Sequence, residues 1–408
     1  MRIAVVSPFV DRRHGTERAL AELLERLARD YGCEIHLYAQ HVEDMHLTPS
    51  LQGKSDDPGA IFWHRVPRVP GPHVVQFLAW MLLNGLLRRW HTFFGRVSCD
   101  LVFSPGINCL RPDVVIVHAL FHRLQELSAK EKNEDAASAA AGFFRRLHRR
   151  VYYRLLTALE RRTYSDPTVS LGAVSPRMAR LLRNYFGRED VAIVSNGVDI
   201  GQFWLSSRLA RRSAARQSFG FPQEDFVLLL IGNDLRVKGL PTVLEAMASL
   251  PQLPLRLLVV GSDNVKPFRA LAVRLGVENR CRWQQPRPDV FDFYAAADVY
   301  VSPSLEDSFG LPVAEAMACG LPAITSAYAG IADFVHDGTD GFVMKEPRDA
   351  RYLAQLIQQL QSGEELCQSV GEAASRKAFD WTWDRHAAAV WKLLSAAASK
   401  RGIVTAPK

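Results

Sequence analysis

Nothing in the chain is long and apolar enough to span a bilayer. The longest apolar run, Val74 to Leu87, is interrupted by Gln76 and Asn84. No cleavable leader is expected either, because the short Met1–Val6 start meets Ser7-Pro8 at once. Cysteine is sparse and scattered: Cys33, Cys99, Cys109, Cys281, Cys319 and Cys367 form no Cys-x-x-Cys pair and have no histidine at zinc spacing. That argues against a disulfide scaffold and a zinc module, and points to reduced thiols in a cytoplasmic protein. No Gly-x-Gly-x-x-Gly occurs near the N-terminus, which weakens a dinucleotide oxidoreductase reading. Asp-x-Asp is absent throughout. Zinc-finger, basic-zipper and RNA-recognition signatures are missing too, so no nucleic acid partner is expected.

What remains is an ordinary soluble composition. The 408 residues are 48% hydrophobic and 23% charged, enough for two domains with separate cores. The net charge of +7 is uneven: residues 1–200 hold 27 Lys and Arg against 21 Asp and Glu, the remainder 23 against 22. An acidic partner should therefore meet the N-terminal half, and an anionic membrane surface suits it better than nucleic acid.

Short apolar runs alternate with helical periodicity from the start. Ile3 to Ser7 reads as a strand, Thr16 to Arg29 as a helix with Leu20, Leu23, Leu24 and Leu27 on one face, and Ile35 to Tyr38 as the next strand. This is the βαβ rhythm of a parallel sheet. Between them, Gly15 lets the backbone approach a ligand closely. His73 to Val97 is apolar on nearly every face and ends near Arg88-Arg89-Trp90. It is either a core helix or an interfacial helix lying on a membrane. Val114 to Val117 is a buried strand ending at His118, the end of a parallel strand where α/β folds bind ligands. Lys130 to Ala141 reads as a loop, and Phe143 to Arg162 as a basic helix carrying Arg145, Arg146, Arg149, Arg150, Arg154, Arg161 and Arg162. That helix presents either a solvated face or one suited to anionic lipid. Ser206 to Ser218 reads as a polar, Arg-rich entry to a second domain.

In that second domain, Phe226 to Gly232 is a strongly apolar strand followed by Asn233-Asp-Leu-Arg-Val-Lys-Gly239 and a helix near Pro241. A lysine in such a loop suits a pyrophosphate. The most informative stretch is Asp298 to Pro322: a strand (Val299 to Val301), turn residues, Glu306-Asp307, Phe309-Gly310, and a helix opened by Pro312 and stopped by Gly320 and Pro322. The helix start offers unpaired N–H groups to an anion. Glu315, one turn in, suits a vicinal diol such as a ribose.

This stretch resembles the signature of the GT-B, family-4-type retaining glycosyltransferases (glycosyltransferases group 1): Pro-Ser, an acid, Phe-Gly, then Glu-Ala. Asp307 and Glu315 keep the family's spacing of eight, with Asp307 in place of the usual Glu and Glu306 adjacent. Lys238-Gly239 match the family's phosphate loop. Asn233 stands where an Arg is usual, so Arg236 would supply the second charge, in likeness to bacterial lipopolysaccharide core glycosyltransferases. His14 replaces the first Gly of the family's N-terminal Gly-Gly.

The resemblance implies an α/β fold of two Rossmann-like domains facing a cleft. An acceptor-side domain would span 1–203 and a nucleotide-sugar domain 204–380, with a C-terminal helix at 381–398 crossing back to the first. It also implies a metal-independent, retaining hexosyltransferase using a nucleotide sugar, UDP-sugar foremost, and a glycan or lipid-linked acceptor. Lys238, Arg236, Asp307 and His118 would serve catalysis. Gly15, Gly232, Asn233, Lys238, Gln285, Arg287, Glu306, Asp307, Phe309, Gly310, Leu311 and Glu315 would bind the donor. The expected location is cytoplasmic, peripheral at the inner face of the plasma membrane through 73–97 and 143–162. Two rivals are a binding protein that keeps the fold without turnover, and a phosphorylase-like enzyme using free phosphate.

Overall fold

The computed structural model describes residues 1–12, 15–48, 59–134, 143–287 and 289–403, with the backbone alone at 128–134 and 143–149. His14 lies outside these residues, as do the side chains of Arg145, Arg146 and Arg149. Two compact units are present. The first comprises Met1–Ser195 with His386–Lys408, the second Asn196–Arg385. The chain thus leaves the first unit at Ser195 rather than after Phe203, and re-enters it at His386.

The first unit is built on a seven-stranded parallel sheet in the order Ile61–Arg65, Glu34–Ala39, Arg2–Val6, Leu101–Pro105, Val114–Val117, Ser170–Ala173 and Ala192–Ile193. A separate two-stranded pair joins Phe9–Val10 to His41–Val42. Val114–Val117 is buried at every position, as a sheet covered on both faces requires. The closing helix, Trp383–Lys400, enters the first unit at His386, whose Nδ1 is 2.9 Å from the Ser195 carbonyl. Trp391 packs against Tyr31 at 5.0 Å, and Arg401 pairs with Asp113 at 2.8 Å.

The second unit carries a six-stranded parallel sheet in the order Cys281–Gln284, Leu255–Val260, Phe226–Ile231, Val299–Ser302, Ala323–Ser326 and Phe342–Met344. Numbered along the chain this is 3-2-1-4-5-6, the doubly wound order. The order reverses between Phe226–Ile231 and Val299–Ser302, and a crevice at their carboxyl ends is where such sheets take ligands.

Three segments differ from the sequence expectation. The loop expected over Lys130 to Ala141 begins later, because the helix Phe121–Glu134 runs on through Glu- and Lys-rich residues of good helix propensity. The rest of that expected loop lies outside the described residues. The Arg-rich entry to the second unit is a helix, Leu205–Phe219, and two of its arginines are struts rather than solvated charges. Arg216 is fully buried and donates to the carbonyls of Asp225 (2.8 Å) and Ala296 (3.1 Å) and to Asp298. Arg208 donates to the Cys319 carbonyl at 2.7 Å. Finally, the helix His73–Phe93 is neither wholly core nor wholly interfacial. Trp80, Met81, Asn84 and His91 face inward, while Val75, Leu78, Leu82, Leu86, Trp90 and Phe93 are exposed.

Candidate active site

Two loops meet at the switch point of the second unit. The first leaves Phe226–Ile231 and holds Gly232, Asn233, Arg236 and Lys238; the second leaves Val299–Ser302 and holds Glu306, Asp307, Phe309 and Gly310. They are stitched together at several points. The Leu305 amide donates to the Val237 carbonyl at 2.7 Å, and Lys238 Nζ donates to Asp307 Oδ2 at 2.5 Å. Gly239 has φ 82°, and a side chain there would place its Cβ 2.2 Å from the Pro303 carbonyl oxygen. The second loop is fixed from beneath, where Ser326 Oγ donates to the Ser304 carbonyl at 2.5 Å and Asp307 bridges to Ala329.

Each loop feeds a helix, Leu240–Ala248 and Leu311–Ala318. Both begin at a glycine in the left-handed region, Gly239 and Gly310 (φ 99°), and no side chain caps either start. L-residues rarely hold that conformation. Pro241 and Pro312 carry no N–H, and the Leu240, Val243 and Val313 amides donate to the Leu235, Gly239 and Gly310 carbonyls, so what each start offers an anion is chiefly its positive dipole end. Gly232 also makes room for the lysine stem: a Cβ there would lie 2.5 Å from Lys238 Cγ.

Glu315 sits inside the Leu311–Ala318 helix, 4% exposed, and accepts a hydrogen bond from Tyr294 Oη at 2.5 Å. Burial first and then the Glu315 carboxylate push the Tyr294 phenol well above its ordinary range, so it stays a donor. Phe309 and Leu311 are buried and Glu306 is half-buried. Arg236 is exposed, as is Asn233, whose Oδ1 accepts from Ser262 Oγ at 3.0 Å. Gln285 is exposed. Arg287 is engaged locally: it pairs with Asp292 at 3.1 Å and lies over the rings of Phe293 (4.6 Å) and Phe219 (5.2 Å).

Gly15 and His118 belong to the first unit. Gly15 opens the helix Gly15–Tyr31, and His118 follows the strand Val114–Val117. Burial, then neighbouring His386, pushes the His118 imidazole down to about 3, so the ring is neutral near pH 7. The segment after it is anchored by Glu160, fully buried, which accepts from the Phe121 amide at 2.6 Å and from His122 Nδ1 at 2.6 Å. Among the described residues no group of three or more His, Cys, Asp or Glu could hold a metal ion. All six cysteines are free thiols. Neither Tyr294 nor the Lys238–Asp307 pairing was legible beforehand: the tyrosine lies in an apolar run, and the pair is separated by 69 residues of chain.

Residues 13–202 match the family described as Glycosyltransferase Family 4, and residues 211–377 match Glycosyl transferases group 1. The chain thus carries a Glycosyltransferase Family 4 domain followed by a Glycosyl transferases group 1 domain. Over 223 residues it is 32% identical to the lipopolysaccharide glucosyltransferase WaaG of Escherichia coli K12, a match covering 53% of this chain and 59% of WaaG. Over 232 residues it is 33% identical to the D-inositol 3-phosphate glycosyltransferase of Streptomyces scabiei, covering 53% of this chain and 51% of the relative. The chain therefore spans little more than half the length of these relatives. The GT-B fold is shared with solved structures. A crystal structure of WaaG superposes with a TM-score of 0.76 at 23% identity, covering 98% of this chain and 99% of WaaG. HepE from Anabaena, solved with UDP and glucose, gives 0.70 at 20% identity, covering 97% and 100%.

Proposed function

We propose that the protein is a retaining glycosyltransferase moving a sugar from a nucleotide sugar, UDP-sugar foremost, to a glycan or lipid-linked acceptor. The setting would be cell-envelope polysaccharide or lipopolysaccharide synthesis. The observation that carries this reading is the convergence of Lys238, Asp307 and two uncapped helix starts at the switch point of the second unit's sheet. The glucosyltransferase activity of WaaG and the UDP and glucose held by HepE favour the same donor class.

In the transfer, the bond from sugar C1 to the diphosphate oxygen breaks and a bond from C1 to an acceptor oxygen forms. The acceptor's proton passes to the departing phosphate. Charge grows on the diphosphate as this happens, and Lys238, Arg236 and the positive end of the helix after Gly310 would meet it without a metal ion. Glu315 would take the ribose diol and Asp307 would lie at the sugar. His118 and Gly15 keep the sugar- and acceptor-side roles that the family resemblance implies.

The acceptor class brings in a membrane, and the first unit supports docking there. Among the described residues no helix is long and apolar enough to cross one. The exposed row on His73–Phe93 instead offers Leu82, Trp90 and Phe93 to an interface, with Arg89 and Arg96 beside it and Arg96 over the Trp90 ring at 5.0 Å. Between Asp57 and Asp100 the chain carries no acidic residue. Phe77 packs edge-on to Tyr152 at 6.2 Å, so the Phe143–Tyr164 helix, with Arg150 and Arg154 exposed, lies alongside. The protein would then be cytoplasmic and peripheral at the inner face of the plasma membrane.

A thermal-shift and turnover screen against UDP-, GDP- and ADP-sugars tests the donor assignment. One donor should raise the melting temperature and be consumed, EDTA should leave turnover intact, and NMR of the product should show the donor's anomeric configuration kept. Glu315→Gln should weaken donor binding by about 1.5–3 kcal/mol, the worth of a charge-assisted hydrogen bond. Failure of every nucleotide sugar to bind would overturn the reading, and a strict metal requirement would remove its metal-free chemistry.

A further inference from the structure

We infer that Tyr294 is the positioning residue for Glu315: its hydroxyl holds one carboxylate oxygen, so that the carboxylate meets the nucleotide's ribose diol in one fixed orientation. The inference rests on the donor reading above and adds to it a residue outside both loops.

A carboxylate as buried as Glu315 is costly to keep ionised unless donors reach it. Tyr294 supplies one at 2.5 Å from the helix Phe291–Ala296. Its ring has little freedom. Phe203 meets it edge-on at 5.5 Å, and Tyr300 stacks at 6.5 Å from the neighbouring strand. Tyr300 is itself anchored, donating to the Ile231 carbonyl at 3.3 Å, at the point where the first loop leaves its strand. The orientation of Glu315 is therefore tied to the sheet through two packed phenols and does not depend on its own helix alone. An ionised carboxylate is the form able to accept both hydrogen bonds of a vicinal diol. A tyrosine that merely filled the core would satisfy its hydroxyl on a backbone carbonyl, as Tyr300 does.

The test compares two ligands on Tyr294→Phe: whichever of UDP, GDP or ADP binds the wild type, and its 2′,3′-dideoxy analogue. Affinity for the ribonucleotide should fall about ten-fold, with affinity for the analogue unchanged. Donor KM should rise with kcat retained at saturation. Adding Tyr294→Phe to Glu315→Gln should cause little further loss, since the tyrosine acts through that carboxylate. If Tyr294→Phe does not fold, Phe203→Leu, which only loosens the ring's edge contact, should shift the same discrimination about three-fold. Equal weakening of both ligands, or none, overturns the proposal. Wild-type protein that binds the two ligands equally well removes the Glu315 contact and this inference with it, yet leaves the donor site standing. Wild-type protein that binds no nucleoside diphosphate overturns the donor reading itself.

Discussion

At the scale of single residues, the ion pair between Lys238 and Asp307 decides how the site can behave. The ammonium proposed to meet a diphosphate already sits on a carboxylate, and both side chains are largely shielded from solvent. A diphosphate must therefore compete with Asp307 for Lys238. Asp307→Asn should tighten binding of the free nucleoside diphosphate several-fold while slowing turnover. Lys238→Ala should cut kcat by about 10²–10³-fold, as loss of a preorganised donor does, and cut donor affinity by much less. Calorimetric titration beside steady-state kinetics reads both; weaker diphosphate binding in Asp307→Asn would mean that the carboxylate organises the lysine and does not compete for it. Sequence reasoning could name both residues, because each lies in a short motif with its own local chemistry. Their partnership was invisible, since it depends on strand order and not on spacing. Gly232 shows the same limit: its place in the loop was readable, but not that a lysine stem fills the space a side chain there would need.

At the scale of elements, the helix His73–Phe93 is the informative case. Its sequence is apolar on nearly every side, so periodicity could not say which face was buried. The structure divides it. Trp80 Nε1 donates to the Asn108 carbonyl at 2.9 Å, and His91 meets Tyr38 Oη at 3.1 Å, leaving the opposite row outward. Phe93, 84% exposed, and Leu82 can be changed with little effect on folding. Leu82→Ser with Phe93→Ser should abolish flotation on anionic vesicles and leave the melting temperature within about 1 °C. Arg150→Gln with Arg154→Gln should weaken flotation and flatten its salt dependence. Wild-type protein that ignores anionic vesicles at low salt would end the membrane proposal. The helix Leu205–Phe219 teaches the converse. A run of arginines reads as solvated, and only the carbonyl-lined space around Arg208 and Arg216 makes two of them internal.

For the whole molecule, the two parallel sheets were legible because strand-length apolar runs alternate with amphipathic helices; the family resemblance implied a return of the chain within 381–398, and the exact crossing residues, after Ser195 and at His386, are a property of contacts. The units also differ in titration. The second holds one histidine, His336, whereas in the first His36, His64 and His91 cluster with Tyr38 in the core. His36 Nδ1 lies 2.9 Å from His64 Nε2, and the His64 and His91 rings are 4.7 Å apart. Burial, then His36 and His91, pushes His64 down to about 3, and burial first of all lowers His36 and His91. Each folded-state value lies below the unfolded value of 6.5, so the unfolded chain takes up the extra protons. Stability is complete above that pH and is lost as pH falls toward the folded values, by about 1.4 kcal/mol per pH unit for His64 alone. Hydrogen exchange between pH 7 and pH 5 should show Glu34–Ala39 and Ile61–Arg65 losing protection before any strand of the second unit. The reverse order would refute the assignment. The re-entry at His386 has a consequence during synthesis. The first sheet emerges from the ribosome well before the helix that closes it, and about 190 intervening residues, made at roughly 5–20 per second, impose a wait on the order of 10–40 s. Through that interval the nascent sheet's unclosed face is exposed to chaperones, while the second unit, continuous in the chain, can mature first.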